Sequence, residues 1–122
     1  STGFEEIVPN SIDYIENSYG LRRRKSYLRV LDVQKKGLLT SDLVMILQIL
    51  QQSRNSTVKS LELSCNPLGH IAVTELSNCC EWLHLKVLRM DYCMIGNTGA
   101  KKVAWMLQQP HTYLTTLSLF NN

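Results

Sequence analysis

The sequence predicts an α/β fold in which similar strand-and-helix units stack side by side as a solenoid. A pattern of the form LxxLxLxx(N/C)xL, with other apolar residues allowed at the Leu positions, starts at residues 28, 58, 85 and 114. Apolar residues alternate within each copy, which is typical of a strand with one buried side. Between the copies, apolar residues recur at helical spacing. A unit of this kind buries its apolar side only against its neighbours.

Length and composition narrow the class of protein. The chain has 122 residues, a net charge of +3, 44% hydrophobic and 19% charged residues, which fits one folded domain or part of one. No apolar run approaches the ~20 residues that cross a bilayer, so no membrane partner is predicted. The absence of a secretory signal, together with the adjacent pair Cys79 and Cys80, favours reduced structural thiols and a cytoplasmic location, with the nucleus as the alternative.

Residues 1–27 show no repeat and are predicted to form an N-terminal capping segment, with a short helix over Ser11–Ser18. The alternative is a docking segment for a partner. The basic run Arg22–Lys25 indicates a solvated linker or a contact with an acidic protein surface. No aromatic residues alternate with it, and the net charge is mild, so nucleic acid is an unfavoured partner.

The first repeat, residues 28–57, is the most degenerate. Lys36 stands where later copies have Asn or Cys, and a lysine is costly to bury, so the first repeat is expected to be distorted or close to a terminus. Ser41 is predicted to cap a helix that begins at Asp42. Four apolar residues nevertheless fit the pattern: Leu28, Leu31, Val33 and Leu38.

The second and third repeats, residues 58–84 and 85–113, carry the strongest signal. Asn66 and Cys93 occupy the position where the chain turns inward, and either side chain can bond the backbone of neighbouring turns there. The second helix is predicted from Ala72 through Cys80, ending near Trp82-Leu83. The third is predicted over 95–107, before Pro110, which disfavours helix at the residue preceding it. In that third helix, Gly96 and Gly99 suit a tight entry turn and a close approach to the strand.

The fourth copy, residues 114–122, is incomplete: it has a strand pattern and no helix. One apolar edge of the stack is therefore expected to lack a cover, which further repeats or a partner would supply. The isolated chain is predicted to be marginally stable or to self-associate through that edge. Light scattering of the concentrated chain is the measurement that tests it.

Enzymatic motifs are missing from the sequence. It contains no GxxxxGK[ST], GxSxG or HExxH pattern, so no catalytic, cofactor or metal site is predicted and the chain is not expected to be an enzyme. His70 and His84 with Cys80 are the alternative metal set, but they lack the paired turn spacing of metal ligands. The turn position of Cys93 argues for a structural role and against a nucleophile.

Residues 58–122, and more loosely 28–57, resemble leucine-rich repeats of the ribonuclease-inhibitor type. The repeat length, the Asn66/Cys93 position and the helix entry IGxxGAxxVAxxL at 95–107 carry the resemblance. It implies an α/β leucine-rich-repeat solenoid of about three and a third repeats after an N-terminal cap, with a parallel sheet on the concave face and helices on the convex face. On the convex face, Trp82 and Trp105 are expected to be packing residues.

The same alignment places the residues between the leucines on the concave face. The middle positions are expected to form one row in which Glu62 pairs with Arg89 and Asp32 is left available to a cation. Tyr92 and Phe120 are candidate aromatic anchors. The alternative is a merely solvated polar sheet. The predicted partner-binding residues are Asp32, Gln34, Glu62, Ser64, Arg89, Asp91, Tyr92, Ser118 and Phe120.

The leading functional hypothesis is a non-catalytic protein–protein interaction module, part of a longer cytosolic leucine-rich-repeat scaffold or sensor that binds another protein on its concave face. Two alternatives come from members of the same repeat family. One is a GTPase-activating protein resembling the Ran-directed activator, which would need polar loop residues that are sparse here. The other is a regulatory repeat segment of a NOD-like immune sensor, whose nucleotide domain would lie elsewhere.

Overall fold

A computed structural model describes residues 28–52, 57–110 and 112–122. The predicted capping segment 1–27, its helix at Ser11–Ser18 and the basic run Arg22–Lys25 lie outside the described residues. Within the described ranges, no helix is long and apolar enough to cross a membrane.

Four three-residue strands form one parallel sheet in chain order. Parallel neighbours cannot be joined by a tight hairpin and need a crossover, and a helix provides each crossover here. The leucines at the centres of the strands lie opposite one another in the register. The strands are β1 (Val30–Asp32), β2 (Ser60–Glu62), β3 (Val87–Arg89) and β4 (Thr116–Ser118).

Those central leucines carry the core between sheet and helices. Leu31, Leu61 and Leu88 are each 1% exposed, while Leu117 on β4 is partly buried and packs against the same cluster. Burial of this kind is the main favourable term in folding, at roughly 1.5–3 kcal/mol for a leucine side chain. The predicted stacking of repeats in register is confirmed.

The three helices are α1 (Thr40–Gln52), α2 (His70–Ser77) and α3 (Gly96–Leu107). Helix α1 starts two residues before the predicted Asp42, so Ser41 lies inside its first turn and is not the cap. Instead, the Asp42 carboxylate accepts the Leu39 N–H at 3.0 Å, which satisfies a donor that has no partner within the helix. The Thr40 hydroxyl donates to the Leu68 carbonyl of the next repeat at 2.6 Å.

Helix α2 is shorter than predicted, because it ends at Ser77 and residues 78–82 form turns. The Ser77 hydroxyl donates to the Thr74 carbonyl at 2.6 Å, the kind of local side-chain bond that competes with helix continuation. The Cys79 carbonyl then accepts the N–H of Leu83 at 2.8 Å, which turns the chain back toward β3. Apolar spacing alone did not reveal this stop.

Helix α3 matches its prediction within one residue. Gly96 has a φ of +63° at the entry turn, a conformation that costs glycine little. At Gly99, an added Cβ would lie 2.5 Å from the Ile95 Cβ, so the close approach there depends on glycine. The two tryptophans differ: Trp82 is partly buried against the core, as predicted. Trp105 is 44% exposed, with the Lys102 ammonium 4.5 Å from its ring centroid, so the packing role predicted for it is wrong.

Asn66 fixes the turn of the repeat before its own. Its side-chain carbonyl accepts the N–H groups of Lys36 and Leu38 at 3.0 and 2.9 Å. Its amide nitrogen donates to the carbonyls of Val33 and Leu63 at 2.9 and 2.8 Å. Asn66 is fully buried, and these bonds satisfy backbone groups that water does not reach.

The same backward bonding recurs two turns later along the stack. Asn122 accepts the N–H groups of Cys93 and Ile95 at 2.8 and 3.2 Å and donates to the Met90 carbonyl at 2.7 Å. The residue at this position therefore holds the turn of the preceding repeat, in addition to its bonds within its own repeat. This explains why Lys36 stays exposed while β1 remains in register with β2, and the expected distortion of the first repeat is wrong.

Candidate functional site

The open face of the sheet, turned away from the helices, carries the polar row that the sequence predicted. Asp32 lies opposite Glu62, Glu62 opposite Arg89, and Arg89 opposite Ser118. Because neighbouring strands are about 4.8 Å apart, these four residues form one continuous row. The buried leucines between them hold the backbone of the row in place.

The predicted pairing of Glu62 with Arg89 is present. Arg89 Nε lies 3.9 Å from Glu62 Oε2, and the two side chains are 46% and 18% exposed. The other Glu62 oxygen accepts the Ser64 N–H at 3.0 Å. A pair this exposed contributes about 0.2–1 kcal/mol, so its main effect is to orient the two side chains.

Asp32, which was predicted to be available to a cation, accepts hydrogen bonds from Gln34 and stays exposed. Its Oδ1 accepts the Gln34 N–H at 3.2 Å, and its Oδ2 accepts the Gln34 side-chain amide at 3.3 Å. Asp32 is exposed and Gln34 half-buried. The two predicted site residues thus bind each other at the end of β1.

Ser64 was predicted to contact a partner but is only 6% exposed. Its hydroxyl accepts the Asp91 N–H at 3.0 Å, because the chain already turns into the core two residues after β2. The Asp91 carboxylate in turn accepts both the Ser118 hydroxyl and the Phe120 N–H at 2.7 Å. These polar residues brace successive repeats, and only part of their surface faces solvent.

Large apolar side chains are exposed where β3 and β4 end. Tyr92 is 57%, Met94 71% and Phe120 72% exposed, and the Tyr92 N–H donates to the Phe120 carbonyl at 2.8 Å. Exposed aromatic residues on hydrogen-bonded backbone are typical of binding hot spots. We refer to Tyr92, Met94 and Phe120 as the strand-exit patch.

The sequence did not predict Met94 as a contact residue. It also did not reveal that basic residues, Arg29, Lys59 and Lys86, directly precede three of the strands. The position of Met94 in the repeat is taken by Gly37 and Pro67 in the first two copies. Those two residues suit a turn, whereas Met94 holds a φ of +59° with an exposed apolar side chain. Comparison of the copies position by position, beyond the leucines, would have singled it out.

The four cysteines have no disulfide partners, and burial disfavours the ionisation of three of them. Burial raises the pKa of Cys79 to about 11 and that of Cys93 to about 11, and it also raises the pKa of Cys80. The Cys93 thiol donates to the Leu63 carbonyl at 3.2 Å. Because the thiolate is the nucleophile, these three thiols are poorly reactive at neutral pH.

The alternative metal set is not assembled. Among the described residues, no three His, Cys, Asp or Glu side chains converge as a metal site. His84 Nε2 lies 3.0 Å from the Glu81 carbonyl, and its ring meets Tyr113 edge-on at 4.9 Å between centroids. His70 is exposed at the start of α2.

Two segments of the chain match a known family model. Residues 54–77 and 83–104 each match the family model described as Leucine Rich repeat, and no curated protein sequence matches the chain. The two matched segments contain β2 with α2 and β3 with most of α3. Together with the parallel four-stranded sheet and its crossover helices, these two matches support a leucine-rich-repeat solenoid as the fold of the described residues.

Proposed function

We propose that this chain is a non-catalytic protein–protein interaction module that binds its partner on the open face of the sheet. The observation that carries the proposal is the strand-exit patch, three large apolar side chains that are more than half exposed. Two of them, Tyr92 and Phe120, lie on backbone that is bonded from one repeat to the next. Single exposed apolar residues are ordinary on protein surfaces. Three of them grouped at the ends of two paired strands favour a contact site.

The rigidity of the sheet supports this assignment. Glu62, Asp91 and Ser118 are already bonded within the sheet, so they lose little conformational freedom when a partner binds. Pre-ordered contact residues cut the entropic cost of association. The charged row gives orientation, and the strand-exit patch supplies the apolar anchors.

The finer assignment follows the repeat resemblance. We propose that these are repeats of the ribonuclease-inhibitor type in a longer scaffold or sensor. We place that protein in the cytoplasm or nucleus, and the free cysteines support this location.

Self-association through the β4 side of the stack is a further part of the proposal. On α3, Ala100, Ala104 and Leu107 are exposed, whereas Val73 and Ser77 at the corresponding sites of α2 are buried. Light scattering of the concentrated chain measures this self-association.

Affinity capture with paired baits tests the binding face. The test bait is the Arg89→Glu/Phe120→Ala variant. The control bait is Lys101→Glu/Ile71→Ala, which makes the same charge change and removes an apolar side chain that is 50% exposed on α2. We expect the test bait to lose the partners that the natural chain retains, with affinity lowered about 30-fold or more, and the control bait to keep them.

Recovery of the same partners by all three baits would show that the open face is not the binding surface. Partners lost only from the control bait would move the site to the helical side. Circular dichroism of both variants establishes that each is folded, so that a loss reflects the surface and not the fold.

A further inference from the structure

Three basic residues occupy the same position in successive repeats, directly before the strands. Arg29 precedes β1, Lys59 precedes β2 and Lys86 precedes β3. Their backbones are adjacent: the Arg29 carbonyl accepts the Lys59 N–H at 2.8 Å, and the Lys59 carbonyl accepts the Lys86 N–H at 2.8 Å. We call Arg29, Lys59 and Lys86 the entry row.

Like charges on neighbouring strands destabilise a sheet. The polar row three residues further along mixes both signs: Asp32 lies opposite Glu62, and Glu62 is paired with Arg89 on its other side. The entry row repeats one sign three times. Among the described residues, no ion pair offsets this repeated charge, which favours a role in binding.

The cations of the entry row also lack acidic partners within the sheet. Between residues that the structure describes, the one ion pair joins Arg89 to Glu62. Arg29 and Lys86 are exposed, and the Lys59 ammonium lies 3.5 Å from a backbone carbonyl, that of His84. The three carboxylates of the open face, in contrast, accept hydrogen bonds from within the sheet.

The imbalance extends over the whole sheet side of the described chain. The four segments 29–36, 59–66, 86–93 and 115–122 together hold six basic and three acidic residues. Opposite signs across an interface speed association and exclude partners of the wrong charge. The sheet side of this solenoid therefore favours a negatively charged partner.

We propose that the entry row binds an acidic segment of a partner protein, with its carboxylates against Arg29, Lys59 and Lys86. This inference rests on the proposed function and adds the chemistry of the partner. A polypeptide fits better than a nucleic acid, whose charge is uniform along the strand and would also lie against Asp32 and Glu62. A peptide can place carboxylates on the entry row and uncharged groups over the row that contains Val30 and Val87.

Fluorescence anisotropy with defined probes tests the proposal. The first probe is a fluorescein-labelled peptide containing three glutamates among Gly and Ser, and the second is the same peptide with glutamines. The third is a labelled single-stranded oligothymidylate. Each is titrated at about 20 mM and about 150 mM salt. Salt screens the attraction between exposed charges, so binding that depends on charge is weaker at the higher concentration.

The matched variants change the same charge on opposite sides of the molecule. Lys59→Gln/Lys86→Gln removes two cations from the entry row, and Lys101→Gln/Lys102→Gln removes two from α3. We expect the glutamate peptide to bind more tightly than the glutamine peptide. We expect the entry-row variant to weaken glutamate binding about tenfold at low salt and the α3 variant to weaken it less than twofold.

Equal weakening by the two variants would mean that binding depends only on net charge, which would overturn the proposal. Equal affinity for the glutamate and glutamine peptides would overturn it as well. Tighter binding of the oligothymidylate, with the same dependence on the entry row, would assign the row to nucleic acid instead. The two proposals fail separately: loss of partners by the Arg89→Glu/Phe120→Ala bait supports the binding face even where the glutamate peptide does not bind.

Discussion

The turns that follow β1 and β2 occupy the same place in the repeat but are held by different side chains. Asn66 gives the first turn two acceptor bonds and one donor bond, and it bonds its own repeat as well. Cys93 gives the second turn a weak thiol bond to the Leu63 carbonyl. In this second turn, the Leu68 N–H donates to the Asn66 backbone carbonyl at 2.8 Å, whereas the equivalent Leu38 N–H of the first turn donates to the Asn66 side chain. The repeat tolerates either residue, but an amide satisfies more of the buried backbone than a thiol does.

Replacement of Asn66 by alanine is expected to have the largest effect. It leaves two backbone N–H groups and two carbonyls without their partners at a fully buried position. We expect the free energy of unfolding to fall by about 3–5 kcal/mol, measured by urea denaturation. The control is Asn97→Ala, at an exposed position on α3, where a change within about 0.5 kcal/mol is expected. Equal losses at the two sites would refute the role assigned to Asn66.

Cys93→Ala sharpens the contrast with a smaller loss. At pH 7 we expect the free energy of unfolding to fall by about 1–2 kcal/mol, for a lost thiol contact and a small cavity. Burial raises the pKa of Cys93 from 9.0 to about 11, so its stabilising contribution is complete below about pH 9. As the pH rises to about 11, the unfolded chain ionises first and the contribution is lost.

The difference in unfolding free energy between natural chain and Cys93→Ala should therefore narrow from pH 9 to pH 11. Urea denaturation at a series of pH values measures it, and Cys79 titrates alike in both proteins. A difference that widens with pH would mean that the Cys93 thiol is more acidic in the folded chain than in the unfolded one.

Met94→Gly should have the smallest effect, in the opposite direction. Met94 has a φ of +59° where the first repeat has Gly37 at +66°. This conformation is unfavourable for a residue that carries a Cβ. We expect a gain of about 0.5–1 kcal/mol, offset in part by the greater freedom of glycine when unfolded. Thermal unfolding measures it. Met94→Ala keeps a Cβ and should show no gain, so a glycine variant less stable than the alanine variant would contradict the explanation.

The sequence was sufficient to predict the strands, their order and their register, because Leu61, Leu88 and Leu117 fall at a spacing that only stacking satisfies. It also predicted the Glu62–Arg89 pair, since position in the repeat determines which strand residues become neighbours. The end of α2 was not predictable in this way. Cys80 fits the helical spacing, but the hydroxyl bond of Ser77 and the return toward β3 end the helix earlier.

The candidate site was predicted less completely, for physical reasons that particular residues illustrate. Ser64 alternates correctly with buried leucines, yet its hydroxyl is used inside the sheet by Asp91, and alternation does not report on bonds between repeats. Asp32 and Gln34 were each assigned to a partner and bond one another instead. The entry row lies outside the leucine pattern and becomes visible only when the strands are placed side by side.

The backward direction of the asparagine bonds gives the solenoid a polarity. Because Asn66 secures the turn before it, loosening of the second repeat releases the backbone amides of Lys36 and Leu38 in the first. The turn of the third repeat is held instead by Asn122 and keeps those bonds. Local opening should therefore travel from each module toward the start of the chain, with amide hydrogen exchange accelerated on one side of a damaged repeat and little changed on the other.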